Sequence, residues 1–355
     1  MRNLKGRGAE VNPNNQFLNQ QYDDDAEYFE HLHQTGEKIS ALRTEIIKVY
    51  PKTIVNKVPS PDIGFEYSMN PYQGCEHGCI YCYARNSHEF WGYSAGLDFE
   101  SKLLVKPNSL NLLEKKLNSR SWKPKPIMLS GNTDCYQPIE RKFELTRDLL
   151  KLMLACKHPV GIITKNALIL RDLEILRQLA DLNLVQVVLS ITTLDNDLRR
   201  IMEPRTSSIE QKLKAIRKLS NNGIPVIVMM APIIPSINNQ EIMRMAEKVA
   251  DNGAFALRYT TVRLNGILPV IFGNWLDKHF PDRKDKVLNQ ISELHGGKLS
   301  DSRFGTRMKG EGEYAMSISK MFKMACKKYD LNKKSIQLNT RLFRKPSDKQ
   351  FDLFK

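Results

Sequence analysis

Three cysteines in one short, glycine-containing stretch carry chemistry that the sequence makes easy to recognise. Cys75, Cys79 and Cys82 follow a C-x3-C-x2-C spacing within NPYQGCEHGCIYCYAR, residues 70–85. Thiolates are soft ligands that suit iron, and iron–sulfur clusters are held by cysteine thiolates. No fourth cysteine lies nearby, so three thiolates leave one iron without a protein ligand, and an open position on a metal is reactive. The spacing therefore predicts a 4Fe-4S cluster with one free iron.

The alternative for the same cysteines is a structural zinc site, completed by His77 or His88 as a Cys3His set. No second C-x2-C pair follows at the spacing of a zinc ribbon, which argues against this alternative. We assign His77 no role of its own, because histidines in loops are commonly neutral surface residues.

Length and composition place these cysteines in a folded, intracellular protein. The chain has 355 residues, 41% hydrophobic and 26% charged, which predicts one large domain with appendages or two domains. Six cysteines are too few for a disulfide scaffold, and their clustering indicates metal binding in a reducing compartment. There is no run of about 18 apolar residues and no apolar stretch behind the N-terminus. We expect a cytoplasmic protein without a membrane association.

The elements that must position the cysteines form a regular alternation of strands and helices. Short apolar, β-branched runs predict six strands, at residues 67–72, 126–131, 160–165, 185–192, 224–232 and 254–259. Helical patterns lie between them at intervals that are typical of parallel βα units. Six such units form either a partly closed barrel or a doubly wound open sheet, and periodicity does not decide between the two.

The pattern divides the chain into four parts. We predict an N-terminal extension over residues 1–60, a core over 61–265, a C-terminal helical region with a basic surface over 266–345, and a flexible tail over 346–355. In either α/β arrangement the catalytic and ligand-binding residues lie at the carboxyl ends of the strands. Polar residues occur at those ends, and the sequence Glu203-Pro204-Arg205 near the fourth strand predicts either polar contacts or a capping turn.

Longer stretches of the sequence resemble the radical S-adenosylmethionine (SAM) superfamily. NPYQGCEHGCIYCYAR, SGNTDCYQPIER, ITKN, LSITTLD and MEPR are similar to its DNA-repair-photolyase-like branch, which is related to spore photoproduct lyase. The resemblance implies a partial (β/α)6 barrel and a cluster on Cys75, Cys79 and Cys82. It also implies SAM bound to the fourth iron and a low-potential electron donor such as flavodoxin or ferredoxin. Reductive cleavage of SAM would give a 5′-deoxyadenosyl radical.

The resemblance also implies which side chains contact SAM. Tyr81 and Tyr83 would flank the adenine, and Ser130, Thr133 and Asp134 would line the methionyl amine and the sulfonium. Lys165 would meet the carboxylate of SAM, and Ser190 would contact its ribose. The ordinary alternatives are that Lys165 is solvated and that Ser190 only ends a buried strand.

One position departs from the related lyase. The hydrogen-donating cysteine of that enzyme aligns three positions before Asp134, where this chain has Gly131, so repair of the spore photoproduct itself is doubtful. Cys135 is then the candidate catalytic thiol that returns a hydrogen atom to a product radical. The alternative is that Cys135 is a small buried hydrophobic residue.

Charge and the final residues suggest partners. The net charge is +15, and residues 298–355 hold 15 Lys or Arg against 6 Asp or Glu, an excess of +9. This excess favours nucleic acid, with Lys320, Lys323 and Lys327 on one helix face, although a solvated surface explains it too. The tail resembles a sliding-clamp-binding peptide through Gln350, Phe351, Leu353 and Phe354, a short motif that also arises by chance.

Together these features predict a radical SAM enzyme with lyase-like or transferase chemistry on nucleic acid or a DNA lesion. A second hypothesis keeps the radical chemistry but applies it to a protein, RNA or metabolite. A third is a non-catalytic iron–sulfur protein that binds nucleic acid or the clamp.

Overall fold

The computed structural model describes residues 6–18 and 43–347, which form two β-sheets and the helices around them. The strands are β1 (Glu45–Lys48), β2 (Val55–Lys57), β3 (Tyr67–Met69), β4 (Tyr72–Gln73), β5 (Lys102–Val105), β6 (Ile127–Leu129), β7 (Val160–Thr164), β8 (Val185–Ser190), β9 (Val226–Ile233) and β10 (Ala256–Thr261). All six strands expected from the sequence lie in one sheet.

The α-helices connect and cover these strands. They are α1 (Leu97–Ser101), α2 (Ser109–Asn118), α3 (Glu140–Phe143), α4 (Leu145–Ala155), α5 (Leu173–Asp181), α6 (Asn196–Met202), α7 (Ile209–Asn221), α8 (Ile242–Asp251), α9 (Leu268–His279), α10 (Lys284–Leu294) and α11 (Gly312–Lys328). Short 3-10 helices span Tyr83–Trp91, Ala167–Asp172, Asn239–Glu241 and Pro281–Arg283.

The main sheet has seven strands in the order β10-β9-β8-β7-β6-β3-β2. All neighbouring strands from β3 to β10 are parallel, and only β2 is antiparallel to its neighbour. Chain order and spatial order coincide, as expected for successive βα units that wind in one direction. In the described part of the chain β2 and β10 do not pair, so the sheet stays open. This is the predicted partial barrel of the radical SAM type.

Burial explains why these segments form strands and helices. Four of the five residues of β7 and five of the six in β8 are buried, which fits parallel strands that are covered on both faces. The covering helices are amphipathic: α4 directs Leu149, Leu150 and Met153 into the main core, where they are fully buried. The core therefore fixes the strands, and the strand ends fix the loops that follow them.

The N-terminal extension packs against the core. β1 pairs with β5 in a smaller sheet, and β2 pairs with β3 at the edge of the main sheet. Residues 7–17, which we call the N-terminal strap, hydrogen-bond along residues 89–100. The strap lies on the segment that leads from the cysteine loop to β5. The division of the chain at residues 60, 265 and 345 stays a prediction.

The C-terminal region packs against β10 and the outer helices. Helix α11 contributes Ile318, Phe322, Ala325 and Cys326 to the main core. Among the described residues, no helix is long and apolar enough to cross a membrane. The peptide at Gln350–Phe354 lies outside the described residues, so clamp binding stays a prediction.

Candidate active site

The cysteine loop joins β4 to the 3-10 helix at Tyr83–Trp91. Cys75 and Cys79 are buried, and Cys82 is partly buried. Gly78 has a φ of +68°, and a Cβ there would come within 2.8 Å of Glu100 Oε2, so the sharp turn between Cys75 and Cys79 requires glycine. Burial raises the pKa of Cys79, and the neighbouring charges of Glu203, Cys82 and Cys75 raise it further. Cys82 packs against two hydrophobic clusters, one that contains Cys79 and one that contains Cys75.

The other three cysteines are located elsewhere. Cys135, Cys156 and Cys326 all lie in the main hydrophobic core, whereas the loop cysteines belong to other clusters. All six cysteines of the chain are described, so the loop has three thiols and no fourth.

The donor set fits a cluster better than a zinc ion. Within residues 6–18 and 43–347, no group of three or more His, Cys, Asp or Glu side chains is arranged to hold one metal ion. His77, one candidate fourth ligand of a Cys3His zinc set, faces Asp134, with Nδ1 3.3 Å from a carboxylate oxygen. A 4Fe-4S cluster binds each thiolate through a different iron, so its thiolates stand farther apart than those of a single ion. Three neighbouring thiols without a fourth fit a cluster that keeps one iron open.

A buried ion pair supports the backbone of the cysteine loop. The Arg85 guanidinium pairs with Glu100, and both side chains are fully buried. Arg85 Nε also donates to the Cys79 carbonyl at 2.9 Å. The Glu100 carboxylate also accepts from the backbone N–H groups of Gly8 and Ala9, at 2.9 and 2.8 Å. One carboxylate thus ties the N-terminal strap, the cysteine loop and α1 together.

Lys165 follows β7 and faces a buried acid. Its Nζ lies 3.0 Å from Glu203 Oε1, and Glu203 is fully buried after α6. Thr192 Oγ1 donates to the same carboxylate at 2.6 Å, the Tyr81 hydroxyl donates to it as well, and Lys212 Nζ lies 3.2 Å from Oε2. Although burial opposes ionisation, the two lysines hold the pKa of Glu203 well below its usual value. Lys165 is therefore held in place rather than freely solvated.

The structure shows the role of Glu203, which the sequence left open, and it adds Lys212 to the network. Glu203, expected as a polar contact or a capping turn, is the acid that positions Lys165 and Tyr81. Lys212 lies on α7 at 1% exposure and was not predicted. A lysine within an amphipathic helix pattern gives no sign that it points inward, so only the packing identifies it.

His77 is a second residue that the sequence analysis left without a role. It is 1% exposed, and its Nδ1 lies 3.3 Å from a carboxylate oxygen of Asp134. Burial lowers the pKa of His77, but Asp134 and Cys75 outweigh burial and raise it to about 10. Asp134 also accepts from Thr164 Oγ1 at 2.8 Å and from the Lys165 N–H at 2.7 Å. Asp134 thus connects the end of β7 to the cysteine loop.

The loop after β6 contains the other predicted SAM contacts. Ser130 has a φ of +71°, and its hydroxyl accepts from the Cys135 N–H at 2.7 Å. Thr133 Oγ1 donates to the Tyr72 carbonyl at 2.6 Å. The side chains of Ser130, Thr133 and Asp134 therefore bond within the protein and shape the loop beside the cysteines. Their contact with SAM stays a prediction.

Some of the remaining predicted residues lie at the site around Glu203, and others lie apart from it. Tyr83 is 52% exposed, and its hydroxyl donates to the Gly131 carbonyl at 2.6 Å. Ser190 ends β8 and is buried, without a hydrogen bond from its hydroxyl to another described residue. Glu203 brings Lys165 and Tyr81 together beside the cysteine loop. Cys135 does not join them, because it is fully buried in the main core.

The geometry also explains the glycine at position 131. A Cβ on Gly131 would lie 2.6 Å from the Ser68 Cβ, which is too close for a side chain. A thiol therefore does not fit where the related lyase is expected to have its hydrogen donor. Burial raises the pKa of Cys135, and no described cleft exposes its thiol.

Comparison with known proteins agrees with this geometry. The family described as the radical SAM superfamily matches residues 69–249, which is about half of the chain. An uncharacterized protein of Mycobacterium tuberculosis is 31% identical over 251 residues, which cover 70% of this chain and 73% of that protein. An uncharacterized protein of Methanocaldococcus jannaschii is 30% identical over 250 residues, which cover 70% and 89%.

Solved structures show the same fold. Spore photoproduct lyase complexed with dinucleoside spore photoproduct superposes with a TM-score of 0.59 at 17% identity, and the match covers 85% of this chain and 91% of that one. At this identity the likeness shows the shared architecture of the sheet and its helices. The matched segment 69–249 begins just before the cysteine loop and includes Lys165, Glu203 and Lys212.

Proposed function

The chain belongs to the radical SAM superfamily, and from this membership we propose that it is an enzyme that reductively cleaves SAM and acts on nucleic acid. The observation that carries the first part of the proposal is the cysteine loop. Cys82 packs against the clusters that contain Cys79 and Cys75, and the other three cysteines are in the main core. Such a donor set fits a 4Fe-4S cluster on Cys75, Cys79 and Cys82 with one iron open to SAM. A reduced cluster held there would supply one electron for cleavage of a C–S bond of SAM, which would yield methionine and a 5′-deoxyadenosyl radical.

The chain itself supplies orientation and a dry environment. Lys165 presents a cation beside the cysteine loop, and Glu203 fixes its position at 3.0 Å. A positioned ammonium is suited to the carboxylate of SAM, since charge-assisted hydrogen bonds are stronger away from water. Tyr81 is held against the same acid, so its ring has a fixed position beside the cysteine loop. These residues bind and orient, and the cofactors supply the radical chemistry.

Burial around the loop protects a reactive intermediate. The strap contributes the backbone donors of Gly8 and Ala9 to Glu100, directly behind the loop. Ala9 is 1% exposed, as expected if water is excluded from that side. Excluding water prevents side reactions of a carbon radical.

The substrate class rests on different support. Residues 298–355 carry an excess of +9, which favours a polyanion. The fold is that of spore photoproduct lyase, whose structure holds a dinucleoside spore photoproduct. The glycine at 131 makes this particular lesion a doubtful substrate, so we propose another lesion or another modified nucleotide.

Anaerobic reconstitution with iron and sulfide, followed by reduction in the presence of SAM, tests the enzyme. We expect a brown protein that releases 5′-deoxyadenosine, and a variant with Cys75, Cys79 and Cys82 all changed to Ala that does neither. A colourless protein with one bound zinc would overturn the proposal. A cluster without SAM cleavage would favour the non-catalytic alternative.

The substrate class is tested with the same reaction. We expect ultraviolet-irradiated DNA to increase 5′-deoxyadenosine release over that with undamaged DNA, because a bound substrate consumes the radical. Release that is stimulated only by RNA, protein extracts or small metabolites would favour the second hypothesis instead.

A further inference from the structure

A basic cleft lies at the open edge of the main sheet, between β10 and α11. Its volume is about 620 Å³, within the usual range for ligand sites. We call it the edge cleft and define it by Arg258, Tyr259, Lys309, Lys323, Lys327 and Lys333. None of these residues belongs to the network of Lys165 and Glu203. The edge cleft is therefore a separate feature of the molecule.

The edge cleft has more positive charge than its ion pairs neutralise. Asp330 is the acid in its lining, and its carboxylate pairs with Lys333 at 2.7 Å. In the described part of the chain, Lys309, Lys323 and Lys327 form no ion pair with an acid. Lys323 and Lys327 are one helical turn apart, so they project from the same face of α11. Like charges gathered in this way without counter-charges favour an anionic ligand.

The backbone of β10 adds a hydrogen-bond donor. Its outer edge is partly covered, because Asn332 Oδ1 accepts from the Leu257 N–H at 3.1 Å and the Met308 carbonyl accepts from the Thr261 N–H at 2.9 Å. The alternation of a strand turns the Tyr259 N–H to the same edge, between these two contacts. Among the described residues, no side chain and no backbone carbonyl outside the sheet accepts from that N–H. The Tyr259 hydroxyl lies beside Ser319, which also lines the cleft.

We propose that the edge cleft binds phosphate groups of the nucleic-acid backbone, outside the reaction centre. This inference rests on the proposed function for its substrate class. Lysine ammonium groups and an unpaired backbone N–H are the donors that phosphate oxygens take. The sheet is parallel, so the carboxyl end of β10 lies at the same edge as those of β7 and β8, which precede Lys165 and Thr192. The edge cleft and the candidate active site therefore belong to the same parallel sheet, so one nucleic acid can contact both only by passing over the carboxyl edge of that sheet.

The test compares two pairs of lysines on one helix. The variant Lys323→Gln/Lys327→Gln removes cleft charges, and Lys320→Gln/Lys328→Gln removes two exposed charges of α11 that do not line the cleft. Binding of a short fluorescent DNA is measured by anisotropy as a function of salt. We expect the cleft variant to bind about tenfold more weakly near 0.1 M salt and to lower the salt slope by about 2. We expect the control to change either quantity by much less.

Four results would overturn the inference, the first three from the binding assay. The first is an equal loss of DNA affinity in the cleft variant and the control. The second is unchanged DNA affinity in the cleft variant. The third is displacement of the fluorescent DNA by polyglutamate as effectively as by unlabelled DNA, which would show unspecific attraction of polyanions. Binding of inorganic pyrophosphate by a wild-type protein that does not bind DNA would identify a site for free phosphate and overturn the nucleic-acid assignment.

A measurement without nucleic acid separates this inference from the proposed function. We expect the cleft variant to release 5′-deoxyadenosine at the wild-type rate when SAM is the only substrate, because none of the changed residues is near the cysteine loop. If wild type fails to cleave SAM but the cleft variant still loses DNA binding selectively, the proposed function fails and the edge cleft remains.

Discussion

The Lys165 ammonium lies 3.0 Å from the carboxylate of Glu203, and Glu203 has no exposed surface. The lysine comes from the end of β7 and the acid from the turn after α6, so the pair joins two βα units beside the cysteine loop. A buried ion pair is often no more stabilising than apolar packing, but it specifies the positions of its members. Here the pair holds a cation where the carboxylate of SAM is proposed to bind.

Removing the acid of this pair should destabilise the protein. Glu203→Gln leaves Lys165 and Lys212 without a buried counter-charge, and we expect the free energy of unfolding to fall by about 3–5 kcal/mol. Chemical denaturation followed by circular dichroism measures the change. Glu174→Gln, in an exposed ion pair with Arg147, is the control and should cost at most about 1 kcal/mol. A double variant with Lys212→Met should recover part of the loss, and the same loss in the double variant would contradict the coupling.

Removing the cation should weaken binding of SAM but leave the cluster intact. For Lys165→Ala we expect a loss of about tenfold to a hundredfold in affinity, the usual contribution of one hydrogen bond to a charged group. Calorimetry on the reconstituted protein measures affinity, and absorbance measures cluster content. Lys151→Ala, on the exposed face of α4, is the control. Wild-type affinity in Lys165→Ala would remove Lys165 from the SAM site.

The N-terminal strap should protect the cysteine loop. A Cβ on Gly8 would overlap the Gly78 carbonyl, so Gly8→Ala must displace the strap from Glu100. We expect a loss of about 1–3 kcal/mol in stability, as for other overpacked sites, and faster bleaching of the reconstituted protein in air. Gly64→Ala has open space around its Cβ and should behave as wild type. Equal bleaching rates in the two variants would show that the strap does not shield the loop.

Acid should destabilise the protein through a histidine far from the cysteine loop. His158 accepts from Trp122 Nε1 at 3.2 Å, so it is neutral in the folded state, and burial lowers its pKa to about 4. The unfolded chain, with a pKa near 6.5, then binds the proton more readily. The associated stability is present above pH 6.5 and is lost as the pH falls towards 4, by on the order of 3 kcal/mol.

Trp122 fluorescence during urea unfolding at several pH values measures this effect. His158→Gln, which keeps an acceptor for Trp122 but does not titrate, should reduce the pH dependence between about 6.5 and 4. An unchanged pH dependence in that variant would assign the effect to other groups.

Cys135 should have no part in turnover. Its thiol is fully buried among core residues, so we expect Cys135→Ala to release 5′-deoxyadenosine and convert substrate at wild-type rates. A modest fall in melting temperature is expected, because a sulfur atom is lost from a packed site. A variant with normal SAM cleavage but blocked product formation would instead support the thiol as a hydrogen donor.

Much of the architecture could be predicted from the pattern of residues. The six parallel strands follow from short β-branched runs such as residues 185–192, because a strand that is buried on both faces must be apolar nearly throughout. Strand order was not readable from that pattern, since a barrel-like and a doubly wound sheet have the same periodicity. In the structure, each of the six predicted strands pairs with the next predicted strand along the chain, which gives the open, partial barrel.

The sequence by itself determined the cysteine loop, because the three thiols, their spacing and the glycines between them are local properties of a few residues. Tertiary structure decided what surrounds the loop. Glu203, Lys212, His77 and the strap come from distant parts of the chain, and their charges become partners only when folding excludes water between them. The sequence does not show whether a charged side chain is solvated or paired, so only the packing distinguishes the two cases.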